Sequence, residues 1–164
     1  MRSLVCLIWL AVVVSALGED GSSLLRTTFG PPIRKIGTPP SEVFTVRPGI
    51  EMTVTYSTTD NKVCKLEIPS GLASNQEVDQ ILEQAVPVST RGKKGNEMQL
   101  LTGIAGSSSI YYERVILIRS IFTSQAIKKN PGAIVIFKDK LCGWEPGDPF
   151  DQPPQPEPKP TRKQ

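Results

Sequence analysis

Between residues 42 and 144 apolar and polar positions alternate, and one helical period interrupts the alternation. Glu42-Val43-Phe44-Thr45-Val46 alternates and stops at Pro48-Gly49, a turn signal. Ile50, Met52, Val54 and Tyr56 then alternate with Glu51, Thr53 and Thr55, the mark of a half-buried strand. Thr59-Asp60-Asn61-Lys62 is a tight connection, with Asp and Asn suited to positive φ. From Val63 to Ile68, Cys64, Leu66 and Ile68 share one face while Lys65 and Glu67 take the other. These two strands are expected to pair as an antiparallel hairpin.

Pro69 and Gly71 end that strand. Ser74-Asn75-Gln76-Glu77 is a capping box, in which the serine caps the third helical amide and the glutamate reaches back. Val78, Ile81, Leu82, Ala85 and Val86 follow at helical spacing, and Pro87 stops the helix. This apolar stripe needs a surface to cover, and the face bearing Met52, Val54, Leu66 and Ile68 is the one available. Burying about four large side chains there contributes roughly 6–10 kcal/mol before entropy.

Residues 89–97 read as a polar, basic loop, Met98 to Thr102 as a short strand, and Gly103 to Ser109 as a small-residue turn. Tyr111 to Phe122 is the longest β-like run; its Val115-Ile116-Leu117-Ile118 is apolar on both faces, as in a central strand. Asn130-Pro131-Gly132 is a turn before a last strand at Ala133 to Phe137, with Cys142 in phase with Ile134 and Ile136. The expected order is β-β-β-α-β-β-β: an α+β domain with a mostly antiparallel sheet of about four to six strands and one amphipathic helix on one face. No internal repeat is present.

Prolines sharpen the boundaries. Most of the 15 lie outside the patterned middle of the 164-residue chain. Residues 19–41, with Gly30-Pro31-Pro32 and Thr38-Pro39-Pro40, read as an irregular lead-in. Residues 145–164 read as an extended or disordered proline-rich tail, so the single folded domain is placed at 42–144. Before all of these, residues 1–18 read as a cleaved secretory signal peptide. Arg2 precedes the apolar run Leu4 to Val14, which is too short to span a bilayer, and Ala16 and Gly18 precede the cleavage point. The expected location is secreted or periplasmic, with no membrane span after cleavage.

Loss of Arg2 leaves one fewer than the 19 Lys+Arg against 16 Asp+Glu, a net of +2, and no electrostatic case for nucleic acid. Loss of Cys6 leaves Cys64 and Cys142, 78 residues apart. In an exported chain one intramolecular disulfide between them is expected; two buried free thiols and a mixed disulfide with a partner are the alternatives.

The absence of histidine excludes Ser-His-Asp and Cys-His catalysis, histidine metal sites and an imidazole pH switch. No metal site or cofactor is expected. Arg91, Lys93 and Lys94, with Gly92 and Gly95, form a candidate anion-binding loop without phosphate-loop spacing; a solvated turn is the plainer reading. Tyr111, Tyr112 and Arg114 form a candidate recognition patch, and Trp144 is expected to pack over the disulfide or join a binding surface. Ser107, Ser108 and Ser109 lack the Gly-x-Ser-x-Gly spacing, which leaves only a Ser-Lys pair with Lys128 or Lys129. Asp79 and Glu83 fall on the exposed helix face. Pro153-x-x-Pro156 has the bare spacing of a polyproline ligand, in a tail that reads equally as a spacer.

Val46-Arg47-Pro48-Gly49-Ile50, Thr55-Tyr56, Cys64, Val86-Pro87, Arg91-Gly92-Lys93, Tyr112-Glu113-Arg114-Val115 and Cys142 resemble a set of short exported bacterial proteins of uncharacterised function, over about residues 43–142. The resemblance implies bacterial export and paired cysteines, and it carries no catalytic residues. In layout alone the chain is similar to the C-terminal domain of TonB-type energy transducers, where a hairpin also precedes a capped helix ending near proline. There the proline-rich segment precedes the domain, and here it follows.

Together these features point to an exported, non-enzymatic binding or interaction module of the cell envelope or extracellular space. Its expected contact surface is the sheet face opposite the helix, and its partner a protein or envelope component. The alternatives are a small secreted hydrolase or lyase using carboxylates or a Ser-Lys pair, and an adaptor that binds through its tail. Ligand and oligomeric state are left open.

Overall fold

A computed structural model describes residues 21–69, 73–102, 105–122, 132–145 and 147. The chain order is α1 (Gly21–Phe29), β1 (Arg34–Ile36), β2 (Ser41–Arg47), β3 (Ile50–Tyr56), β4 (Val63–Ile68), α2 (Asn75–Ala85), β5 (Lys94–Thr102), β6 (Ala105–Tyr112), β7 (Val115–Phe122) and β8 (Ala133–Phe137). The strands form one sheet in the order β1-β2-β3-β4-β8-β7-β6-β5, with every neighbouring pair antiparallel. The sheet is therefore two four-stranded meanders joined where β4 meets β8. The segment containing α2 carries the chain from the middle of the sheet to its far edge, and β5 to β8 step back toward β4.

The mostly antiparallel α+β architecture is as expected, but the sheet has eight strands rather than four to six, and there are two helices. The additional elements have physical causes. Residues 21–36, in the stretch expected to be irregular, contain α1 and β1. α1 is held by Leu25, which is buried in the core, and by the Arg26 to Glu42 ion pair. β1 is only three residues long and lies at a sheet edge, where a proline-flanked strand is tolerated.

β6 occupies most of the expected small-residue turn. Glycine and serine have low strand propensity, and the pairings Ser107↔Ser120 and Ser109↔Ile118 supply the order instead. Gly106 is required there, because a Cβ would lie 2.3 Å from the Leu100 carbonyl oxygen. The expected long strand from Tyr111 to Phe122 is broken at Glu113-Arg114 into β6 and β7. That turn carries no glycine or asparagine to announce it; its amides donate to the carbonyls of Lys93 and Arg91. β5 likewise begins at Lys94, inside the expected basic loop.

α2 forms as the pattern demands. Ser74 accepts from the Glu77 amide, and the Glu77 carboxylate accepts from the Ser74 amide at 2.8 Å. Val78, Ile81, Leu82 and Ala85 are buried. They join one core cluster with the cross-strand row Val54↔Leu66↔Val135↔Leu117 and with Phe44 and Met52. α1 packs against both α2 and β2, and Leu25 belongs to the same cluster. Both helices thus cover one face of the sheet. Arg119 of β7 adds a polar tie, donating to Asp79 and Asn75 at the start of α2.

Cys64 and Cys142 form a disulfide with a Cα–Cα distance of 5.2 Å, joining β4 to a short 3-10 turn at Lys140–Cys142. No helix among the described residues is long and apolar enough to cross a membrane. The expected signal peptide at 1–18, Lys128, Lys129 and nearly all of the proline-rich tail lie outside the described residues.

Candidate functional site

The face turned away from the helices is also apolar at its centre. Cross-strand pairs place Ile116 opposite Ile136 and Ile118 opposite Ile134. A second row runs Thr53↔Glu67↔Ile134↔Ile118↔Ser109↔Met98 across six strands. A strand apolar on both faces ordinarily has both faces covered. Among the described residues, no helix lies on this one.

A groove of about 470 Å³ opens on this face, lined by residues that include Glu51, Thr53, Glu67, Ile118, Ser120 and Ile134, with Pro69 and Gly132 also in its lining. Its volume lies in the range of small-ligand sites. The floor is isoleucine and the rim carries two carboxylates. Arg34 of β1 donates to Glu51 at 3.3 Å, and Lys65 lies 2.8 Å from Glu67. All four side chains are more than a third exposed, so these ion pairs hold the rim weakly.

Further along the face, the Lys138 ammonium lies over the Tyr111 ring at 5.8 Å and over the Trp144 ring at 5.5 Å. The disulfide fixes the turn at Lys140–Cys142 just before Trp144. Tyr111 and Trp144, both expected in a recognition surface, are brought together through a lysine.

Tyr112 is not part of that group. It packs against the core on the helix side, with the Arg91 guanidinium 5.7 Å from its ring. Arg114 is exposed in the turn between β6 and β7. Strand alternation separates the two tyrosines.

The candidate anion loop is dispersed as well. Arg91 is buried, donates from Nε to the Val86 carbonyl at 2.8 Å and pairs with Glu83 at 3.3 Å. Its role is to hold the end of α2 against β6. The Lys93 amide donates to Glu113, and Lys94 pairs with Glu97. Of the serines, Ser108 is buried and donates to Glu97. Asp79 is engaged by Arg119.

Sequence reasoning did not single out Glu51, Glu67, Ile118 or Ile134 as neighbours. The signal was present in Val115 to Ile118, whose two-sided apolarity was explained by a central position alone. The chain matches no protein-family model, no curated protein and no solved structure.

Proposed function

We propose that this protein is an exported, non-enzymatic binding module that takes an extended, largely apolar segment of an envelope protein partner on the open face of its sheet. One observation supports this most strongly: both helices lie on one face, while the other carries Ile116, Ile118, Ile134 and Ile136 beside a groove rimmed by Glu51 and Glu67. Ile118, Ile134 and Ile136, each partly exposed, offer burial worth about 25 cal/mol per Å² of apolar surface removed from water, whereas Ile116 is already buried. The acids favour a segment with a basic flank. Tyr111, Lys138 and Trp144 extend the surface with aromatic area of the kind enriched at contact sites. The disulfide and the resemblance to short exported bacterial proteins are consistent with an oxidising, extracytoplasmic setting.

A photocrosslinking amino acid placed at Ser120, on the open face, and at Gln80, on the exposed side of α2, tests this in the native cell envelope. The expected result is a discrete protein adduct from position 120, absent from position 80, and lost when Ile118→Asp is added while the melting temperature stays within a few degrees. Equal adducts from both positions, or a lipid adduct from position 120, would overturn the reading.

A further inference from the structure

We propose that the pocket between α1, β1 and the start of β2 is a second binding site, separate from the open face, for a small aliphatic carboxylate. The pocket measures about 340 Å³ and is lined by residues that include Arg26, Lys35, Ile36, Glu42, Tyr56 and Asn61. Among the described residues of its lining Glu42 is the only acid, and it is 7% exposed. A buried carboxylate must be paired or it destabilises the fold by several kcal/mol.

That requirement is met by two groups. Arg26 Nη2 donates to Glu42 Oε1 at 2.6 Å, and the Tyr56 hydroxyl donates to Oε2 at 2.9 Å. Burial and the adjacent Glu42 carboxylate hold the Tyr56 phenol well above its ordinary range, so it stays a neutral donor. With Arg26 balancing Glu42, Lys35 is in excess. Its ammonium lies 3.6 Å from the same Oε1, and its side chain is 73% exposed.

Among the described residues the lining therefore carries two cations against one acid, a surplus of one positive charge in a small concave site. That surplus suits a monoanion. Ile36 and Pro40 supply apolar wall for a short alkyl chain, and Asn61, in the left-handed region at φ 59°, brings an amide side chain to the rim. A carboxylate entering here meets the Lys35 ammonium beside the Arg26 guanidinium.

The test is a titration of the ¹⁵N-labelled chain with sodium propionate, and separately with inorganic phosphate, at constant ionic strength. Saturable amide shifts with propionate are expected at Ser22, Lys35 and Asn61, and not at Thr53 or Ile134. Lys35→Gln, at an exposed position, should fold normally and raise the propionate Kd about tenfold, whereas Lys65→Gln on the open face should leave it unchanged. Saturation by phosphate alone would overturn the carboxylate assignment. Absence of saturable shifts with either anion, or an unchanged Kd in Lys35→Gln, would overturn the site. None of these outcomes bears on the open face.

Discussion

The hydroxyl of Tyr56 on β3 donates to the buried carboxylate of Glu42 on β2 at 2.9 Å, across 14 residues of sequence. Tyr56→Phe keeps the ring packing and removes only this donor. Leaving one carboxylate oxygen without it should cost about 1–3 kcal/mol, read from the denaturant midpoint. Because the folded phenol titrates above the ordinary 10.0, its contribution is intact below pH 10 and is lost as pH rises beyond it. The gap between wild type and Tyr56→Phe should therefore narrow in alkaline solution. A constant gap would mean that the folded phenol does not titrate above its ordinary value.

Arg91 separates a structural arginine from an anion-binding one. Arg91→Ala should cost about 1–3 kcal/mol, since the Val86 carbonyl loses its partner in a buried setting. Lys93→Ala, at an exposed neighbour, should change stability by no more than about 0.5 kcal/mol. Equal effects at the two positions would contradict this assignment.

The disulfide is a sharper target. Mass spectrometry without reduction should recover a peptide linking Cys64 to Cys142. Replacing both cysteines by serine should cost up to about 4–5 kcal/mol, the chain-entropy value for a loop of this length. Trp144 reports the local consequence, since it is the only tryptophan in residues 19–164. On reduction its fluorescence should shift to the red, as the turn before it is released from β4. An unchanged spectrum would show that Tyr111 and Lys138 hold Trp144 without the bond.

Acid should loosen α2 at its first turn. Hydrogen bonds from the Ser74 hydroxyl and amide hold the Glu77 carboxyl below its ordinary 4.5. Its stabilisation is present above pH 4.5 and is lost as pH falls through the lowered folded value. The stability difference between wild type and Glu77→Gln should shrink over that acid range. Ser74→Ala should cost about 1 kcal/mol at neutral pH, the usual effect of losing an N-cap.

What was legible beforehand followed the local periods. The β3–β4 hairpin, α2 with both halves of its capping box, and β8 were all visible, because side-chain direction repeats every two or 3.6 residues whatever the rest of the chain does. β6 was hidden because its Gly-Ser-Ser-Ser run has no strand propensity of its own. α1 and β1 were hidden behind prolines, and their order depends on Leu25 and Arg26 finding the core and Glu42. Glu42 itself left a signal, an acid in phase with Phe44 and Val46, but its two hydrogen-bond partners, Arg26 and Tyr56, lie 16 residues before it and 14 after.

The sequence by itself determined which residues alternate, where α2 starts and stops, and that Val115 to Ile118 is apolar on both sides. It also set the chemistry on offer, with no histidine anywhere in the chain. Only the tertiary structure decided that both helices lie on one face, that β4 meets β8, and that Glu51 and Glu67 rim a groove floored by Ile118 and Ile134. The physical reason is range. Period and capping act within a turn or a strand, whereas the open face and the Glu42 cluster depend on the pairing order of strands far apart in sequence. A single change in that order would turn the same side chains toward different neighbours.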